Sequence, residues 1–191
     1  MEKLYQFANK LTPISRETFS QVSPYLKQYT CKANTMLCNV GDEAKYVYFI
    51  VSGIIRTSMT TDKGKIFTRE LYRENQFCGP MSDIILDKTS SYFYETLTDC
   101  EIIRSNHKEV RKLYKSNPEL MMFEIKTMEN IYVKMEKTII NLGTKDAKER
   151  YISLLERFKN LEKLIPQHQI ASYLGITPIQ LSRIRKGLKV Q

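Results

Sequence analysis

Histidine and cysteine are scarce in this sequence of 191 residues, which contains two histidines and four cysteines. The cysteines form no C-x-x-C pair and have no histidine nearby, so neither a zinc site nor a disulfide framework is predicted. The sequence also lacks a P-loop, a G-x-S-x-G elbow, an H-E-x-x-H pair and a glycine-rich dinucleotide motif. Because two histidines leave few general acid–base sets, we expect no enzymatic activity, no metal and no cofactor.

Long hydrophobic runs are also missing. No apolar segment approaches the roughly 18 residues that span a bilayer. The N-terminus lacks the basic start, apolar stretch and cleavage site of a secretion signal. Hydrophobic residues make up 42% and charged residues 27% of the chain, as in an ordinary globular protein. We therefore expect a soluble, cytoplasmic protein that does not bind membranes.

Acidic residues are absent from the C-terminal end of the chain. The formal net charge is +9, and residues 143–191 contain 10 basic and 4 acidic side chains. From Gln167 onward, four basic residues occur and no acidic one. This composition favours a polyanionic partner such as nucleic acid, although a run of like charges is also typical of an ordinary solvated face.

Short segments rich in aromatic and β-branched residues alternate with turn residues in the first half of the chain. Candidate strands are residues 45–51, 54–59, 66–72, 92–97 and 100–104. Residues 61–65 (TDKGK) have the Asp and Gly placement of a hairpin turn. Helices are expected over residues 1–28, limited by Pro13 and Pro24, and again after residue 117. The pattern predicts an α+β protein with a small β-sandwich or barrel.

Apolar residues recur at heptad spacing after Asn117-Pro118, a favourable helix start with proline in the first turn. This seam consists of Met121, Ile125, Met128, Tyr132, Met135, Ile139 and Leu142. It predicts a long helix over residues 118–142, ended by Gly143, that packs along its length against a partner helix. Such a helix is about 37 Å long, too long for a small domain to cover. We therefore favour a homodimer; the alternative is a core helix within one subunit.

A second helical region begins near Thr144, which is suited to cap a new helix. Further along, the residues fit two short helices that pack at a steep angle. Ala171 is small where the helices approach, and Gly175 tolerates the positive φ that the turn requires. Thr177 and Pro178 then supply an N-cap and a first helical residue. This order predicts a helix–turn–helix; a helical hairpin used only for packing is the alternative.

The second helix of this unit presents polar and basic side chains suited to the major groove of DNA. Arg183 is placed to donate two hydrogen bonds to the O6 and N7 atoms of guanine, and Ile179 to touch a thymine methyl group. The candidates for phosphate contacts are Gln167, His168, Thr177 and Gln180, together with Arg185 and Lys186 as non-specific, salt-dependent contacts.

The order of these parts resembles the bacterial Crp/Fnr family of catabolite-activator and fumarate–nitrate-type regulators, over nearly the whole chain. The residues that carry the resemblance are Asn117-Pro118, Ile170-Ala171-x-x-Leu174-Gly175, Leu181-Ser182-Arg183-Ile184, Gly41 and Ser52-Gly53. The resemblance implies a cyclic-nucleotide-binding-like, effector-sensing β-roll over residues 1–117. It further implies a dimerisation helix over 118–142 and a winged helix-turn-helix DNA-binding domain over 143–191.

Members of that family are homodimers, and several contact RNA polymerase. The implied partners are therefore palindromic double-stranded DNA, a second copy of the chain, a small-molecule effector and RNA polymerase. Whether the residues after Lys186 complete a wing stays open at this point.

The sequence departs from the cyclic AMP-binding relatives where the nucleotide would be held. Pro80 stands where those relatives have a glutamate that holds the ribose, and Ser90-Ser91 stands where an arginine and a small hydroxyl residue hold the phosphate. Met135 stands where they present a hydroxyl side chain from the long helix. We expect an effector pocket at Gly79, Pro80, Ser90, Ser91 and Met135 that keeps its shape without the usual ligand chemistry.

Lys88 is the only candidate cation in residues 77–95, and its loop position points it to solvent. We therefore predict an uncharged or aromatic effector, or none, in place of cyclic AMP. The aromatic residues 92–94 would either close such a pocket or simply fill the core. No cysteine cluster for an iron–sulfur centre precedes Cys31, and two histidines give poor support for haem.

These patterns predict a sequence-specific, DNA-binding transcriptional regulator that acts as a homodimer. The alternative is a cyclic-nucleotide or small-molecule binding module whose C-terminal helices dock on a partner protein. The acid-free basic helix separates the two, because a phosphate-facing surface avoids Asp and Glu whereas a docking surface has no such need.

Overall fold

A computed structural model describes residues 1–189; residues 190 and 191, where the expected wing region ends, lie outside the described part. The strands are β1 (Leu26–Cys31), β2 (Met36–Cys38), β3 (Tyr46–Ser52), β4 (Ile55–Thr60), β5 (Ile66–Tyr72), β6 (Phe77–Cys78), β7 (Phe93–Thr96) and β8 (Cys100–Asn106). The helices are α1 (Glu2–Leu11), α2 (Arg16–Val22), α3 (Met81–Ile85), α4 (His107–Lys112), α5 (Pro118–Thr144), α6 (Ala147–Arg157), α7 (Leu161–Leu164), α8 (Gln167–Leu174) and α9 (Pro178–Lys189).

The strands form two antiparallel four-stranded sheets, in the orders β1-β8-β3-β6 and β2-β7-β4-β5. This N-terminal β-roll, followed by a long helix and further helices, confirms the predicted α+β class. Between residues 145 and 189 the chain contains helices and turns, so no strand of a wing lies in that stretch.

Strand β3 is buried on both faces because its side chains point alternately into two cores. Tyr48 and Ile50 face the interior of the roll, whereas Phe49 packs toward α1. The β4–β5 hairpin turns at residues 61–65, as predicted, with Gly64 at a φ of +70°. The strands therefore form a closed roll with the N-terminal helices against one sheet.

Helix α5 is the longest element, with 27 residues, or about 40 Å at 1.5 Å per residue. It begins at Pro118, as predicted, and the Asn117 side chain accepts a hydrogen bond from the N–H of Leu120 over 3.3 Å. It does not end at Gly143, because that glycine adopts no positive φ and the helix continues to Thr144. No helix within residues 1–189 is long and apolar enough to cross a membrane.

The N-cap of helix α6 is Asp146, whereas the sequence analysis expected Thr144 in that role. The Asp146 carboxylate accepts the N–H of Glu149, and the Glu149 carboxylate accepts the N–H of Asp146, both over 2.8 Å. The Thr144 hydroxyl donates to the Ile140 carbonyl over 2.7 Å within α5. The reciprocal cap satisfies two N–H groups at once, which a lone threonine cannot do.

The C-terminal helices pack directly on the β-roll. One continuous hydrophobic core contains Ile54 and Leu71 of the roll together with Leu154, Phe158 and Ile170 of the C-terminal helices. Because burial of apolar surface is the main favourable term in folding, this shared core holds the two parts as one packed structure.

Polar contacts from α8 border this core. The Ser172 hydroxyl accepts the N–H of Thr68 and donates to the carbonyl of Ile66, each over 3.1 Å. Gln169 is buried and accepts a hydrogen bond from the Arg56 guanidinium. The face of α8 that carries Gln169 and Ser172 is therefore turned toward the roll.

Glu70 of β5 joins three parts of the molecule. Its Oε1 lies 2.8 Å from Arg157 Nη2 in α6, and its Oε2 lies 3.0 Å from Lys134 Nζ in α5. Burial acts to raise the pKa of Glu70, but the charges of Arg157 and Lys134 hold this pKa below its ordinary value of 4.5. Burial also lowers the pKa of Lys134, against the opposing effect of Glu70. Glu70 is thus the ionised centre of a largely buried ion-pair cluster.

We expect Glu70→Gln to lower the free energy of unfolding toward the lower end of about 3–5 kcal/mol, the usual cost of removing one partner of a buried ion pair. Glu74→Gln is the matched control, because Glu74 forms only an exposed ion pair with Arg73 over 3.6 Å. That control should cost less than about 1 kcal/mol. Urea denaturation measures both changes.

The effect of Glu70→Gln should also depend on pH. The folded-state pKa of Glu70 is depressed, so its contribution to stability is complete above the ordinary value of 4.5 and is lost as the pH falls through the folded-state value. The stabilities of the two proteins should therefore converge in acid. A constant difference down to the lowest pH at which both remain folded would contradict this assignment.

Candidate nucleic-acid interface and neighbouring cavity

The predicted helix–turn–helix is formed by α8 and α9. Gly175 closes α8 in the left-handed conformation, with φ 69° and ψ 27°, and the N–H of Ile176 bonds back to the Ala171 carbonyl over 3.0 Å. Ala171 is 1% exposed, within the core that holds the two helices together. Helix α9 then begins at Pro178, as predicted.

Thr177 and Gln180 cap the start of α9 reciprocally. The Thr177 hydroxyl accepts the N–H of Gln180 over 3.2 Å, and the side-chain Oε1 of Gln180 accepts the N–H of Thr177 over 2.8 Å. Sequence reasoning assigned the cap to Thr177 alone and both residues to phosphate contacts. Both side chains therefore cap the start of α9, the helix that carries the base-reading candidates Ile179 and Arg183.

One face of α9 is open to solvent. Ile179, Arg183 and Lys186 are exposed and share that face, since they lie four and three positions apart. Ile179 is 68% exposed, whereas Leu181 on the other side is fully buried. The ion pairs formed within residues 1–189 include neither Arg183 nor Lys186. Both cations are therefore available to an anionic partner.

Arg185 does not belong to that face. Its Nε lies 2.5 Å from Glu162 Oε1 in α7, and its side chain is 23% exposed. The Tyr151 hydroxyl donates to the same carboxylate, and burial together with Glu162 raises the pKa of Tyr151. This corrects the expectation that Arg185 contacts phosphate. Arg185 follows Arg183 by two positions, about 200° around a helix of 3.6 residues per turn, and its charge is already balanced.

Gln167 and His168, the other candidates for phosphate contacts, are exposed in the first turn of α8. The next residue, Gln169, is buried against the roll. The unit therefore presents the start of α8 and one face of α9 to solvent, and no acidic residue occurs in the sequence of either helix.

The segment from α3 to β7 satisfies its own polar groups. Asp83 is buried and accepts hydrogen bonds from the N–H and the hydroxyl of Ser91, each over 2.9 Å. Ser90 is also buried, and its hydroxyl donates to the carbonyl of Tyr92 over 2.8 Å. The donors of Ser90 and Ser91 are thus used within the protein. Contrary to expectation, Pro80, Ser90 and Ser91 do not line the cavity to which Gly79 and Met135 belong.

A cavity of about 510 Å³ lies between β5, β6 and α5. Gly79 and Met135 of the predicted pocket line it, and Arg69 and Lys134 place two cations in its wall. The expectation about Lys88 concerned residues 77–95 alone, and Lys88 is the only cation there. The two cations of the cavity wall come from β5 and α5, outside that segment.

Arg69 reaches this cavity at a β-bulge. Thr57 of β4 pairs with Glu70 and Ser58 pairs with Thr68, which leaves Arg69 as an extra residue on β5. A bulge bends the strand and re-aims the side chain of the extra residue. Alternation in the sequence does not reveal such a site, because the bulge interrupts that alternation.

The outer face of α5 keeps large apolar side chains exposed. Of the predicted seam, Met121, Ile125, Tyr132, Met135, Ile139 and Leu142 are between 43% and 68% exposed. Met128 differs, since it is half-buried and lines a smaller cavity of about 90 Å³ within the same subunit. A continuous apolar stripe of this kind marks an interaction surface.

Comparison with known proteins shows what this chain is similar to. A family model described as cyclic nucleotide-binding domain matches residues 29–117. The chain is also 25% identical to the cAMP-activated global transcriptional regulator CRP of Haemophilus influenzae, over 96% of this chain and 92% of that protein. The chain thus contains a match to a cyclic nucleotide-binding domain and resembles Crp/Fnr-type regulators over nearly its whole length.

Another curated relative and two solved structures are also similar to this chain. The global nitrogen regulator of Nostoc sp. is 28% identical over 66% of this chain, and the match spans 57% of that protein. Two solved structures share the Crp/Fnr fold. The c-di-GMP responsive global regulator CLP of Xanthomonas campestris has a TM-score of 0.72 and 15% identity, covering 92% of each chain. FixK2 of Bradyrhizobium japonicum has a TM-score of 0.72 and 18% identity, covering 87% of this chain and 85% of FixK2.

We expect this chain to bind neither cyclic AMP nor cyclic GMP with micromolar affinity. A cyclic phosphate beside Ser91 would face the carboxylate of Asp83, and burying an ion next to a like charge is costly. Calorimetric titration with both nucleotides measures this. Micromolar binding that Ser91→Ala abolishes would show that the segment still holds a nucleotide.

Proposed function

We propose that the chain is a sequence-specific, double-stranded DNA-binding transcriptional regulator that acts as a homodimer and responds to an effector other than cyclic AMP. The observation that carries this proposal is the exposed face of α9. That face combines Ile179, Arg183 and Lys186, follows a tight helix–turn–helix, and belongs to a stretch of sequence without acidic residues.

In this proposal the exposed face of α9 and the exposed start of α8 have different roles. Arg183 and Ile179 contact base edges in the major groove, and Lys186 attracts phosphates. Gln167 and His168 lie at the start of α8, where unpaired N–H groups favour an anion such as a DNA phosphate. Residues 143–191 serve as the DNA-binding domain and residues 1–117 as the effector-sensing domain.

Residues 118–142 serve as the dimerisation helix. An apolar stripe along a helix of about 40 Å is costly to leave in water, and a second copy of the same helix offers a matching surface. Two copies related by a two-fold axis would read a palindromic operator, with half-sites about 34 Å apart.

The names of the relatives differ in their effectors, cAMP for the Haemophilus influenzae protein and c-di-GMP for the Xanthomonas campestris protein. We therefore infer the effector of this chain from the residues that line its own cavity, and not from the effectors of its relatives. Contact with RNA polymerase is part of the proposal, because the resemblance to the Crp/Fnr family implies it.

Selection of bound DNA from a random pool tests the proposal directly. We expect a palindromic consensus with two half-sites one helical turn apart. Failure to enrich any sequence, together with retention of a protein partner on the immobilised chain that charge reversal at Arg183 disrupts, would favour the alternative of a docking module.

Arg183→Ala should weaken binding to the selected operator by about 1–3 kcal/mol and leave binding to random DNA nearly unchanged, because one bidentate base contact is lost. Titrations of labelled operator and of random DNA measure the two affinities. An equal loss on both would make Arg183 a phosphate contact.

Lys186→Ala should weaken binding to all sequences similarly and reduce the slope of log affinity against log salt by about 1. Lys27→Ala is the matched control, since Lys27 is exposed on β1 of the β-roll. That control should leave the slope unchanged. A slope equally unaffected by Lys186→Ala would remove Lys186 from the interface.

Tyr132→Glu should convert the protein to a monomer and abolish operator binding, because an unpaired charge between two helices costs several kcal/mol. Tyr132 is 68% exposed in the middle of the seam and lines neither cavity described above. Lys137→Glu introduces the same side chain at an exposed position outside the seam and should leave the dimer intact. Sedimentation equilibrium measures the mass, and a dimer unchanged by Tyr132→Glu would place the interface elsewhere.

A further inference from the structure

The cavity between β5, β6 and α5 combines apolar and charged walls. Its volume of about 510 Å³ falls within the roughly 300–1,000 Å³ of small-molecule pockets. Phe7, Phe77, Ile131 and Ile139 form part of its apolar wall. A ligand that fills this space must therefore bury hydrocarbon or aromatic surface.

Arg69 is the cation of this wall that no carboxylate neutralises within the described chain. The contacts of its guanidinium are the Tyr72 hydroxyl, 3.3 Å from Nη2, and the ring of Tyr92, 4.8 Å from Cζ. Burial raises the pKa of Tyr72 to about 12, so that its phenol stays neutral at physiological pH and balances no charge. The β-bulge holds this cation at the cavity wall.

Lys134 does not offer an equivalent anchor. Its Nζ lies 3.0 Å from Glu70, which also binds Arg157, so an anion at Lys134 would have to compete with a carboxylate already in place. The residues that line the cavity thus include two cations and one carboxylate, and Arg69 is the cation of that wall that no carboxylate contacts.

We propose that this cavity binds a monocarboxylate with an apolar body, its carboxylate on Arg69 and its hydrocarbon against Phe77 and Ile131. A guanidinium presents two parallel N–H groups that match the two oxygens of a carboxylate. One negative charge balances Arg69 and leaves the Glu70 cluster intact. This inference rests on the proposed function in one respect, namely that the cavity is the effector site. It replaces the uncharged effector predicted from the sequence with an anionic one.

Calorimetric titration of the full chain with octanoate, 3-phenylpropanoate and 1-octanol tests the proposal. We expect saturable binding of both carboxylates with one site per chain. Octanol has the same hydrocarbon length and no charge, so it should bind at least about 10-fold more weakly, as the loss of a charge-assisted hydrogen bond implies. Equal binding of octanol and octanoate, or no saturable binding of either carboxylate, would overturn the proposal.

Two variants assign the contact. Arg69→Gln should weaken octanoate binding about 10-fold or more and leave octanol binding unchanged, because only the ionic contact is lost. Arg73→Gln is the matched control, since Arg73 is a nearby arginine that does not line the cavity and lies 3.6 Å from Glu74. It should bind octanoate as the parent does. Thermal unfolding checks that both variants fold, and octanoate binding unaffected by Arg69→Gln would also overturn the proposal.

Because these titrations contain no DNA, their outcome is independent of the DNA-binding proposal. Arg69-dependent octanoate binding by a chain that selects no DNA sequence would overturn the proposed function and leave the carboxylate site standing. Specific DNA binding by a chain that does not bind octanoate would overturn the carboxylate site and leave the proposed function standing.

Discussion

The buried carboxylate of Glu70 constrains the arrangement of the whole molecule. An ionised carboxylate in that position is stable only while Lys134 and Arg157 remain beside it, since an unpaired buried charge costs several kcal/mol. These two cations belong to α5 and α6, so the long helix and the C-terminal helices depend on each other for their positions on the β-roll. Glu70 also lines the cavity. The cavity wall and the contact between the roll and the C-terminal helices thus share one side chain.

The way in which α8 is buried decides which helix is free to meet a partner. Gln169 and Ser172 use their polar groups on the roll, and Ile170 packs into the core shared with the roll. Exposing that face would break hydrogen bonds and return apolar surface to water. Helix α9 has no such contacts on its outer face, where Arg183 and Lys186 are exposed, so the anionic partner is expected there.

The resemblance to Crp/Fnr-type regulators accounts for the β-roll but not for the ligand, since function resides in particular side chains placed on a shared fold. In this chain Asp83 takes up the donors of Ser91, in the segment where cyclic AMP-binding relatives hold the phosphate. The free cation lies at Arg69 on another strand. This position of the positive charge is the physical basis of the proposed carboxylate ligand.

The sequence by itself determined the α+β class, the start of the long helix at Pro118 and the helix–turn–helix with Gly175 at its turn. These features depend on periodicity, capping and backbone preference, which act between residues close in the chain. Tertiary structure alone decided that Arg69 faces the cavity, that Arg185 pairs with an acid outside its own helix, and that Ser91 bonds within the protein. Each of these depends on a β-bulge or on contacts between residues of different segments. No local pattern encodes them, because they exist only once the strands and helices have packed.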